Sequence, residues 1–544
     1  MPVPSPRPAS LHATPISALA TLVGGTVRGE DVLVSGVTLA SQDVVPGDLY
    51  AALPGANAHG ARYAAAALEA GAVAVLTDSD GLDLLVADGV TAPTVVVEGP
   101  RSVVGPVART LYGTSELGLR LFGVTGTNGK TTTAYLMDSA LTALGQTTGL
   151  IGTVETRIGD ERLRSLRTTP EATVLHALLA VMQERGVDSC VMEVSSHALT
   201  QHRVDGVVYD VALFTNLSQD HLDFHPTMRD YFLAKASLFT PQRSRRGIVC
   251  VDDEWGRELA TIAGVPVTTM TSLADVEADW HLVAEAAPPA GGSDDASDGA
   301  SGGASNHDPA DFTLSDGSTT LRLRSALPGD FNRVNTAMAA LALLASGLDA
   351  PTVERALRSD PHVPGRMEKV SLDPATDGGE HPSLPLVVVD YAHTADAVAA
   401  ALKALRPQTT GALVVVLGAG GDRDRGKRAA MGRAAALGAD VVVVTDDNPR
   451  SEDPSVIREA VLAGARDAAG EGGTTDLHDV DGRAAAIDTA VRVAHERGPG
   501  SVVAVVGKGH ETGQDVAGTI HPFDDREEVA RALRAVATGT RGSL

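Results

Sequence analysis

Hydrophobic positions along the chain fall into short runs that alternate with stretches of helical periodicity. Near the N-terminus, apolar runs at 32–37, 47–53, 72–77 and 93–99 predict strands, and residues 62–71 predict a helix that ends at a glycine. Strands that alternate with helices are typical of α/β domains. We therefore predict a small α/β domain over residues 1–117, whose proline-rich residues 1–10 form a loose tail.

A second alternating pattern predicts a central α/β domain over residues 118–362 with a mostly parallel sheet. Its apolar runs include 189–194, 207–216 and 247–253. Residues 285–311 interrupt the pattern, because they are rich in Gly, Ala, Ser and Asp and contain no aromatic residue. Such a composition predicts a disordered acidic surface insertion. An acidic arm that docks on a partner is the functional alternative.

A third pattern predicts a C-terminal Rossmann-like domain over residues 363–544. Four Val-rich runs end in polar or glycine-rich loops, at 384–393, 412–424, 439–450 and 501–511. Unbroken apolar runs suit parallel strands that are covered on both faces. Ligands of open α/β sheets bind beyond the carboxyl ends of the strands. The fold class is therefore α/β in three domains, with the chemistry expected in the loops that follow strands.

Composition and charge exclude several classes of protein. The 544 residues are 43 % hydrophobic and 21 % charged, which is typical of soluble globular proteins. No apolar run reaches the length of a membrane span, and the N-terminus lacks a signal-peptide pattern. The net charge of −25 argues against nucleic acids and anionic membranes as partners. Two cysteines, Cys190 and Cys250, suit a reducing compartment, so we expect a cytoplasmic protein.

Lysine is rare in this chain. Of the 44 basic residues only six are lysines, namely Lys130, Lys235, Lys369, Lys403, Lys427 and Lys508. The chain otherwise uses arginine, so its lysines are enriched at positions that need a compact ammonium or a reactive amine. Lys369 and Lys403 have the surroundings of surface residues, whereas the other four lie in polar or glycine-rich motifs or in an apolar helix.

A glycine-rich loop connects the first strand of the central domain to a helix. The segment TGTNGKTTT at 125–133 has the composition of a phosphate cradle, in which backbone N–H groups and a helix N-terminus face the phosphates. Lys130 would reach the outer phosphates and Thr131 would hold Mg²⁺. The chain departs from the usual pattern, because Val124 stands where a glycine is expected and Gly126 follows. A glycine-rich turn without phosphate is the alternative.

Acidic and histidine side chains follow the next two predicted strands. Glu193, Ser195 and His197 come after one strand, and Asp220 and His221 come after the other. Carboxylates and imidazoles near a triphosphate indicate one or more Mg²⁺ ions. A single histidine in such a position is more often structural. The Mg²⁺ hypothesis therefore depends on the carboxylates and imidazoles occurring together.

Lys235 lies among apolar and small residues in YFLAKASLF, at 231–239. One interpretation is a lysine that snorkels from a half-buried helix face. The other is a desolvated lysine with a lowered pKa, whose neutral amine adds CO₂ to form a carbamate, an anionic metal ligand.

Nine motifs together resemble those of the Mur ligase family of ATP-dependent amide-bond synthetases. They occur in the family's order as GTNGKTT, EVSSHAL, FTNLSxDHLDxH, YxxxKxxLF, PGRME, DYAHTxDAV, GGDRDxGKR, DDNPR and GKGHE. Each is modestly specific, and the set covers nearly the whole chain. The likeness is greatest to the branch that adds the third amino acid to UDP-N-acetylmuramoyl-L-alanyl-D-glutamate. It implies synthesis of a peptidoglycan precursor through an acyl phosphate, with ATP and Mg²⁺.

The resemblance implies roles for residues of the central domain. Its catalytic residues would be Lys130, Glu193, His221 and Lys235. Its Mg²⁺ ligands would be Thr131, Glu193, His221 and a CO₂-derived carbamate on Lys235. Its ATP site would comprise Gly126, Thr127, Asn128, Gly129, Lys130, Thr131, Thr132, Asn332, Asn335, Asp390 and His393. Arg366 matches a family position near a domain junction.

The first domain would hold the UDP-sugar and the central domain its peptide end. The matching positions are Leu39, Ser41, Ala56, Asn57, Ala58, Thr168, Thr169, Ser195, Gln201 and Arg203. Two neighbours depart from the family pattern. Gln42 replaces a common arginine, and Arg167 replaces the asparagine of some relatives.

The third domain would select the amino acid. DDNPR, at 446–450, resembles the diaminopimelate form of this loop. The matching positions are Arg423, Asp447, Asn448, Pro449, Arg450, Gly507 and Glu511. Diaminopimelate carries a second amino-acid head, whose carboxylate suits an arginine fork and whose ammonium suits Glu511 or Asp447. A turn capped by Asp, with φ fixed by Pro, is the structural alternative.

Three alternative functions remain. The same ligase specific for L-lysine would leave Arg450 without the distal carboxylate. A folylpolyglutamate-type ligase would start close to its phosphate loop, whereas a whole α/β domain precedes the loop here. A nucleotide-switched binding protein would not need a carbamate. We expect a monomer whose partners are UDP-N-acetylmuramoyl dipeptide, diaminopimelate and ATP.

Overall fold

The computed structural model describes residues 6–11, 13–163, 165, 167–284, 311–372, 383–470 and 476–538. Three extended sheets organise these residues, and each sheet is mostly parallel. No helix among the described residues is long and apolar enough to cross a bilayer.

The first sheet has five strands in the order β2-β7-β6-β5-β4, of which only β2 is antiparallel to its neighbour. Its part of the chain contains β1 (Thr14–Pro15), α1 (Ile16–Val23), β2 (Thr26–Arg28), β3 (Leu33–Val34), β4 (Gly36–Thr38), β5 (Asp48–Ala51), α2 (Ala64–Glu69), β6 (Ala74–Thr77), α3 (Ser79–Ala87), β7 (Thr94–Val96) and α4 (Pro100–Leu111).

Two expectations for this region are wrong. The run 32–37 is not one strand, because β3 pairs with β1 while β4 joins the main sheet. The described part of the proline-rich tail is anchored: Arg7 forms a two-pronged ion pair with Asp48, and the backbone N–H groups of Ala9 and Ser10 donate to Glu184. The ion pair and the hydrogen bonds to Glu184, at the end of a helix of the central domain, hold this segment against the fold, although its prolines had suggested a flexible tail.

The central sheet has eleven strands in the order β11-β10-β9-β12-β8-β13-β14-β15-β16-β17-β18. Its strands are β8 (Arg120–Thr125), β9 (Thr148–Ile151), β10 (Thr156–Ile158), β11 (Glu161–Leu163), β12 (Ser189–Glu193), β13 (Val211–Phe214), β14 (Gly247–Cys250), β15 (Val267–Thr271), β16 (Trp280–Ala284), β17 (Asp311–Ser315) and β18 (Thr320–Arg324). Its helices are α5 (Lys130–Ala143), α6 (Ala172–Glu184), α7 (Ser196–Thr200), α8 (Met228–Ala236), α9 (Glu254–Ile262), α10 (Asp330–Ala345) and α11 (Ala350–Ala356).

The expected acidic insertion lies outside the described residues except for its last member. Asp311 is the first residue of β17 and is paired with Arg324 of β18, so it does not belong to a disordered segment. Strand β17 therefore begins at the last residue of the segment that composition predicted to be disordered. Residues 285–310 join β16 to β17, which are antiparallel neighbours.

The third sheet has the order β19-β20-β24-β21-β22-β23, with only β19 antiparallel. Its part of the chain contains β19 (Glu368–Val370), β20 (Leu386–Asp390), α12 (Ala395–Leu405), β21 (Leu413–Leu417), α13 (Lys427–Gly438), β22 (Val441–Val444), α14 (Pro454–Gly470), β23 (Asp476–Asp479), α15 (Arg483–Glu496), β24 (Val502–Val506), β25 (Gly513–Val516), β26 (Thr519–Pro522) and α16 (Asp525–Ala537).

Apolar side chains cover both faces of the larger sheets, as unbroken hydrophobic runs require. Cys190 and Cys250 are free thiols buried in the cores on opposite faces of the central sheet. Helix α6 also contributes Ala172, Ala177 and Ala180 to the core of the first domain. The first and central sheets therefore share apolar packing through this helix.

A fully buried ion pair lies in the core of the third domain. The guanidinium of Arg483 donates to both carboxylate oxygens of Asp525 at 2.7 Å, and neither side chain is exposed. We expect Arg483→Met to lower the free energy of unfolding by about 3–5 kcal/mol, because Asp525 would remain buried and unpaired. Urea unfolding followed by circular dichroism measures this loss.

Arg531→Met is the matched control, because Arg531 is half-exposed and its ion pairs, with Asp488 and Glu528, lie at the surface. Its expected cost is below about 1 kcal/mol. Equal losses in the two variants would contradict the importance of the buried pair.

Candidate active site

The glycine-rich loop follows β8, a central strand of the sheet. Gly126 and Gly129 have φ values of +146° and +86°, which favour glycine. A Cβ at Gly126 would collide with Thr215, and one at Gly129 would collide with Asn335. Val124 is buried inside β8, so the residue that departs from the usual pattern belongs to the strand and the loop begins at Gly126.

Two lysines converge on this loop. Lys130 Nζ donates to the carbonyl oxygens of Gly126 at 3.0 Å and Thr127 at 2.8 Å. Lys235 Nζ donates to the same Gly126 oxygen at 2.8 Å. Lys235 is only 1 % exposed, which excludes the snorkelling interpretation. Burial, and then the charge of Lys130, lowers the pKa of Lys235 well below its usual value, against the opposing effect of Asp220.

Glu193 ends the neighbouring strand β12 and is buried. Its carboxylate accepts hydrogen bonds from Thr131 Oγ1 at 3.0 Å, Thr153 N at 2.8 Å and Thr153 Oγ1 at 3.0 Å. Arg366 donates to Thr131 Oγ1 at 3.1 Å and so brings a cation from a later part of the chain to the same place. A carboxylate is thus fixed beside the first turn of α5.

Asp220 and His221 follow β13, and Asp220 contacts the third domain. Asp220 Oδ2 lies 3.5 Å from His393 Nε2, and Asp220 Oδ1 lies 3.5 Å from Lys427 Nζ. Burial alone would raise the pKa of Asp220, but the hydrogen bond and charge of His393, with His221 and Lys427, hold that pKa well below its usual range. Burial lowers the pKa of His221 to about 3, so this imidazole is neutral near pH 7 and can act as a ligand.

The donor set fits Mg²⁺ shared with a phosphate ligand better than a cage formed by protein alone. Among the described residues, no three His, Cys, Asp or Glu side chains form a group that could hold a metal ion. Thr131 and Glu193 provide adjacent hydroxyl and carboxylate oxygens. Mg²⁺ usually takes one or two carboxylates, with waters and substrate phosphates completing its shell. The neutral His221 would be an additional ligand.

Loops of the third domain approach from the other side. Arg423 lies 3.6 Å from Asp223 of the central domain. Arg450 has a φ of +51° and donates through its guanidinium to Gly421 O at 2.6 Å. Asn448 Nδ2 donates to Glu511 Oε2 at 2.9 Å, which joins the DDNPR loop to the GKGHE loop.

All these loops line one cavity of about 1130 Å³. Such a volume exceeds the usual size of a pocket for a single small molecule. The expected site residues that line it are Thr127, Asn128, Gly129, Lys130, Thr131, Thr132, Thr168, Thr169, Glu193, Ser195, Gln201, Arg203, His221, Lys235, Asn332, Asn335, Asp390, His393, Arg423, Asp447, Asn448, Arg450, Gly507 and Glu511.

Seven expected residues are not among those that line the cavity. Gly126 lies beneath its floor, where its carbonyl holds the two lysines. Pro449 packs its backbone against Gly421. The others belong to the first domain, namely Leu39, Ser41, Ala56, Asn57 and Ala58.

Several residues to which the sequence analysis gave no role also line the cavity, among them Thr153 and Lys427. Asp220, named there only as part of the candidate Mg²⁺ group, and Arg366, named only as a position near a domain junction, line it too. Thr153 was detectable, because it lies just past the carboxyl end of β9, which neighbours the end of β12 where Glu193 lies. Lys427 was noted only as a rare lysine. Its partner Asp220 lies on a distant segment, so no local pattern connects them.

Three models of Mur ligase domains match the chain. They are described as "Mur ligase family, catalytic domain" at residues 33–110, "Mur ligase middle domain" at 124–344 and "Mur ligase, glutamate ligase domain" at 365–509. Each matched range falls within the part of the chain that forms one of the three extended sheets.

Similar proteins and structures cover almost the whole chain. The UDP-N-acetylmuramoyl-L-alanyl-D-glutamate--2,6-diaminopimelate ligase of Streptomyces avermitilis is 49 % identical over 530 residues, which are 97 % of this chain and 98 % of that protein. The UDP-N-acetylmuramyl-tripeptide synthetase of Leifsonia xyli subsp. xyli is 46 % identical over 541 residues, with 98 % of each chain covered. A solved structure of a UDP-N-acetylmuramoyl-L-alanyl-D-glutamate--2,6-diaminopimelate ligase has a TM-score of 0.62 and 29 % identity, covering 96 % of this chain and 99 % of its own. The chain belongs to the Mur ligase family.

Proposed function

We propose that this protein is an ATP-dependent ligase that adds diaminopimelate to UDP-N-acetylmuramoyl-L-alanyl-D-glutamate in peptidoglycan precursor synthesis. One observation carries the proposal: a single cavity is lined by the phosphate loop with Lys130 and by the DDNPR loop with Arg450. The names of the relatives that match nearly the full chain support it. We also propose that the protein acts as a monomer.

ATP would bind at the N-terminus of α5. Residues Gly126, Thr127, Asn128, Gly129, Lys130, Thr131 and Thr132 would surround its phosphates, where backbone N–H groups and the helix N-terminus favour an anion. Asn332 and Asn335, which are buried and hydrogen-bonded to each other, would lie with Asp390 and His393 around the nucleoside.

The UDP-linked substrate would reach from the first domain into the cavity. Its peptide end would meet Thr168, Thr169, Ser195, Gln201 and Arg203, all of which line the cavity. Its UDP end would lie at Leu39, Ser41, Ala56, Asn57 and Ala58, outside the cavity. An elongated substrate explains why these two groups of positions are separated in the fold.

Diaminopimelate would bind between the loops of the third domain. Arg423 and Arg450 would pair with its distal carboxylate, while Asp447 and Glu511 would accept from its distal ammonium. Asn448, Pro449 and Gly507 would shape the same pocket. L-lysine would leave an arginine unpaired in a partly buried site, which costs binding energy.

Mg²⁺ would be held by Thr131, Glu193, His221 and a carbamate on Lys235. The lowered pKa of Lys235 supports carbamylation, because the neutral amine attacks CO₂ and releases one proton to form the anionic carbamate. When bound, Mg²⁺ offsets the negative charge of the triphosphate.

The reaction would proceed through an acyl phosphate. The γ-carboxylate of D-glutamate attacks the γ-phosphoryl group and ADP leaves. Lys130 offsets the repulsion between the two anions, and the glycine loop orients the phosphates. The neutral amine of diaminopimelate then attacks the acyl carbon, phosphate leaves and the amine loses a proton.

The amine dependence of product formation tests the proposal. We expect purified protein with Mg²⁺-ATP and UDP-N-acetylmuramoyl-L-alanyl-D-glutamate to yield a tripeptide product by mass spectrometry with diaminopimelate. Parallel reactions receive the meso isomer, the LL isomer, L-lysine or no amine. If product forms only with L-lysine, the amine substrate is L-lysine and not diaminopimelate. ATP hydrolysis that needs no amine and gives no ligated product would favour a nucleotide-switched binding protein.

A further inference from the structure

The fully buried Lys508 has no role in the reaction described above. It follows Gly507 at the carboxyl end of β24, and its side chain is 0 % exposed. The backbone turns sharply here, because Gly507 has a φ of +115°. The turn directs the chain from the sheet core into the GKGHE loop at the cavity wall.

Lys508 joins two residues that line the cavity. Its Nζ donates to Asn448 Oδ1 at 3.1 Å and to Glu511 Oε2 at 2.9 Å. Asn448 Nδ2 donates to the same Glu511 Oε2 at 2.9 Å, so the three side chains form a closed ring of hydrogen bonds. The backbone N–H of Asp515 donates to Asn448 Oδ1 at 3.0 Å and fixes the orientation of that amide.

This ring determines how Glu511 faces the cavity. Two donors occupy Oε2, and within the described part of the chain no hydrogen bond of the ring uses Oε1. The Glu511 side chain is 32 % exposed, whereas Lys508 is sealed beneath it. A buried ammonium must keep its acceptors, and hydrogen bonds between charged groups are strong. Glu511 is therefore held in one orientation before any ligand arrives.

We infer that Lys508 is the positioning residue that prepares Glu511 to accept an ammonium group of the amine substrate. The inference rests on the proposed function, since Glu511 lies in the proposed diaminopimelate pocket. A lysine suits the position because a compact ammonium satisfies two acceptors in a sealed space, where a planar guanidinium needs more room. The chain has only six lysines among its 44 basic residues, so keeping one here is informative.

Lys508→Met tests the inference because it keeps an unbranched side chain and removes the charge. We expect the KM for diaminopimelate to rise about 10- to 100-fold, which corresponds to lost hydrogen bonds between charged groups. We expect kcat and the KM values for ATP and the UDP-dipeptide to change less than about 3-fold. Lys369→Met, at an exposed position of β19, is the control and should match the wild type.

A double-mutant cycle with Glu511→Gln separates positioning from general damage. If Lys508 acts through Glu511, Lys508→Met should cost less than about 2-fold in kcat/KM for diaminopimelate in the Glu511→Gln background. An equal cost in both backgrounds would overturn the inference.

Lys508→Gln provides a second variant, because its amide still donates to Glu511. We expect an intermediate KM for diaminopimelate. If both Lys508 variants lose thermal stability and ATP binding, the residue serves the core and the inference is wrong. A wild-type protein without diaminopimelate-dependent ligation would instead refute the proposed function. If the wild type is active but Lys508→Met and Glu511→Gln have independent effects on kcat/KM for diaminopimelate, the inference about Lys508 is refuted and the proposed function stands.

Discussion

Lys235→Ala is expected to reduce the rate of tripeptide formation by at least about 100-fold, the scale on which one preorganised charge contributes to catalysis. The amine is buried, and its nitrogen shares the Gly126 oxygen with Lys130. Burial and that second cation favour the neutral amine, which is the form that reacts with CO₂. The substitution would remove the proposed anionic ligand.

Three further measurements distinguish the carbamate from a simple cation. Formate or acetate should partly restore the rate of Lys235→Ala, because a short carboxylate can occupy the space of the carbamate. Lys235→Arg should stay as inactive as the alanine variant, since it keeps the positive charge but cannot be carbamylated. Lys369→Ala controls for loss of a lysine at an exposed site. Full activity in Lys235→Arg would rule the carbamate out.

Glu193→Gln is expected to lower kcat by about 100- to 1000-fold and to raise the Mg²⁺ concentration needed for half-maximal rate. The effect should be electrostatic, because glutamine can keep the hydrogen bonds. Its amide oxygen can accept from Thr153 N, and its NH₂ can donate to the hydroxyls of Thr131 or Thr153, which rotate.

Initial rates over a Mg²⁺ titration, together with a thermal melt, check this expectation. Glu258→Gln is the control, because it removes the same charge from an exposed ion pair with Arg229. An unchanged melt with a depressed rate would support a role in binding the ion. A Mg²⁺ dependence equal to that of the wild type would count against it.

Local sequence patterns located the candidate site residues correctly in the fold where these lie at the end of a strand or just after it. Glu193 is the last residue of β12, whereas Lys130 and Asp447 follow β8 and β22, and the parallel arrangement brings these positions to one side of each sheet. The α/β class followed from the same periodicity, because a buried parallel strand needs apolar residues on both faces.

Contacts between distant segments could not be predicted in this way. Lys235 meets the carbonyl of Gly126 across 109 positions of the chain, and no periodicity encodes that distance. The strand run 32–37 divides between two sheets because the pairing partner of each half is set by tertiary packing. Composition likewise suggested a loose tail, although Arg7 finds a carboxylate in Asp48.

The apolar packing of α6 has a consequence for domain motion. Ala172, Ala177 and Ala180 belong to the core of the first domain, so moving that domain against the central sheet would open a hydrophobic core. Near the cavity, the third domain meets the central one through polar pairs such as Arg366 with Thr131 and Lys427 with Asp220, at 3.1 and 3.5 Å, and through Phe331 of α10, which packs against the core of the third domain. Because of the shared core at α6, we expect the first and central domains to move together.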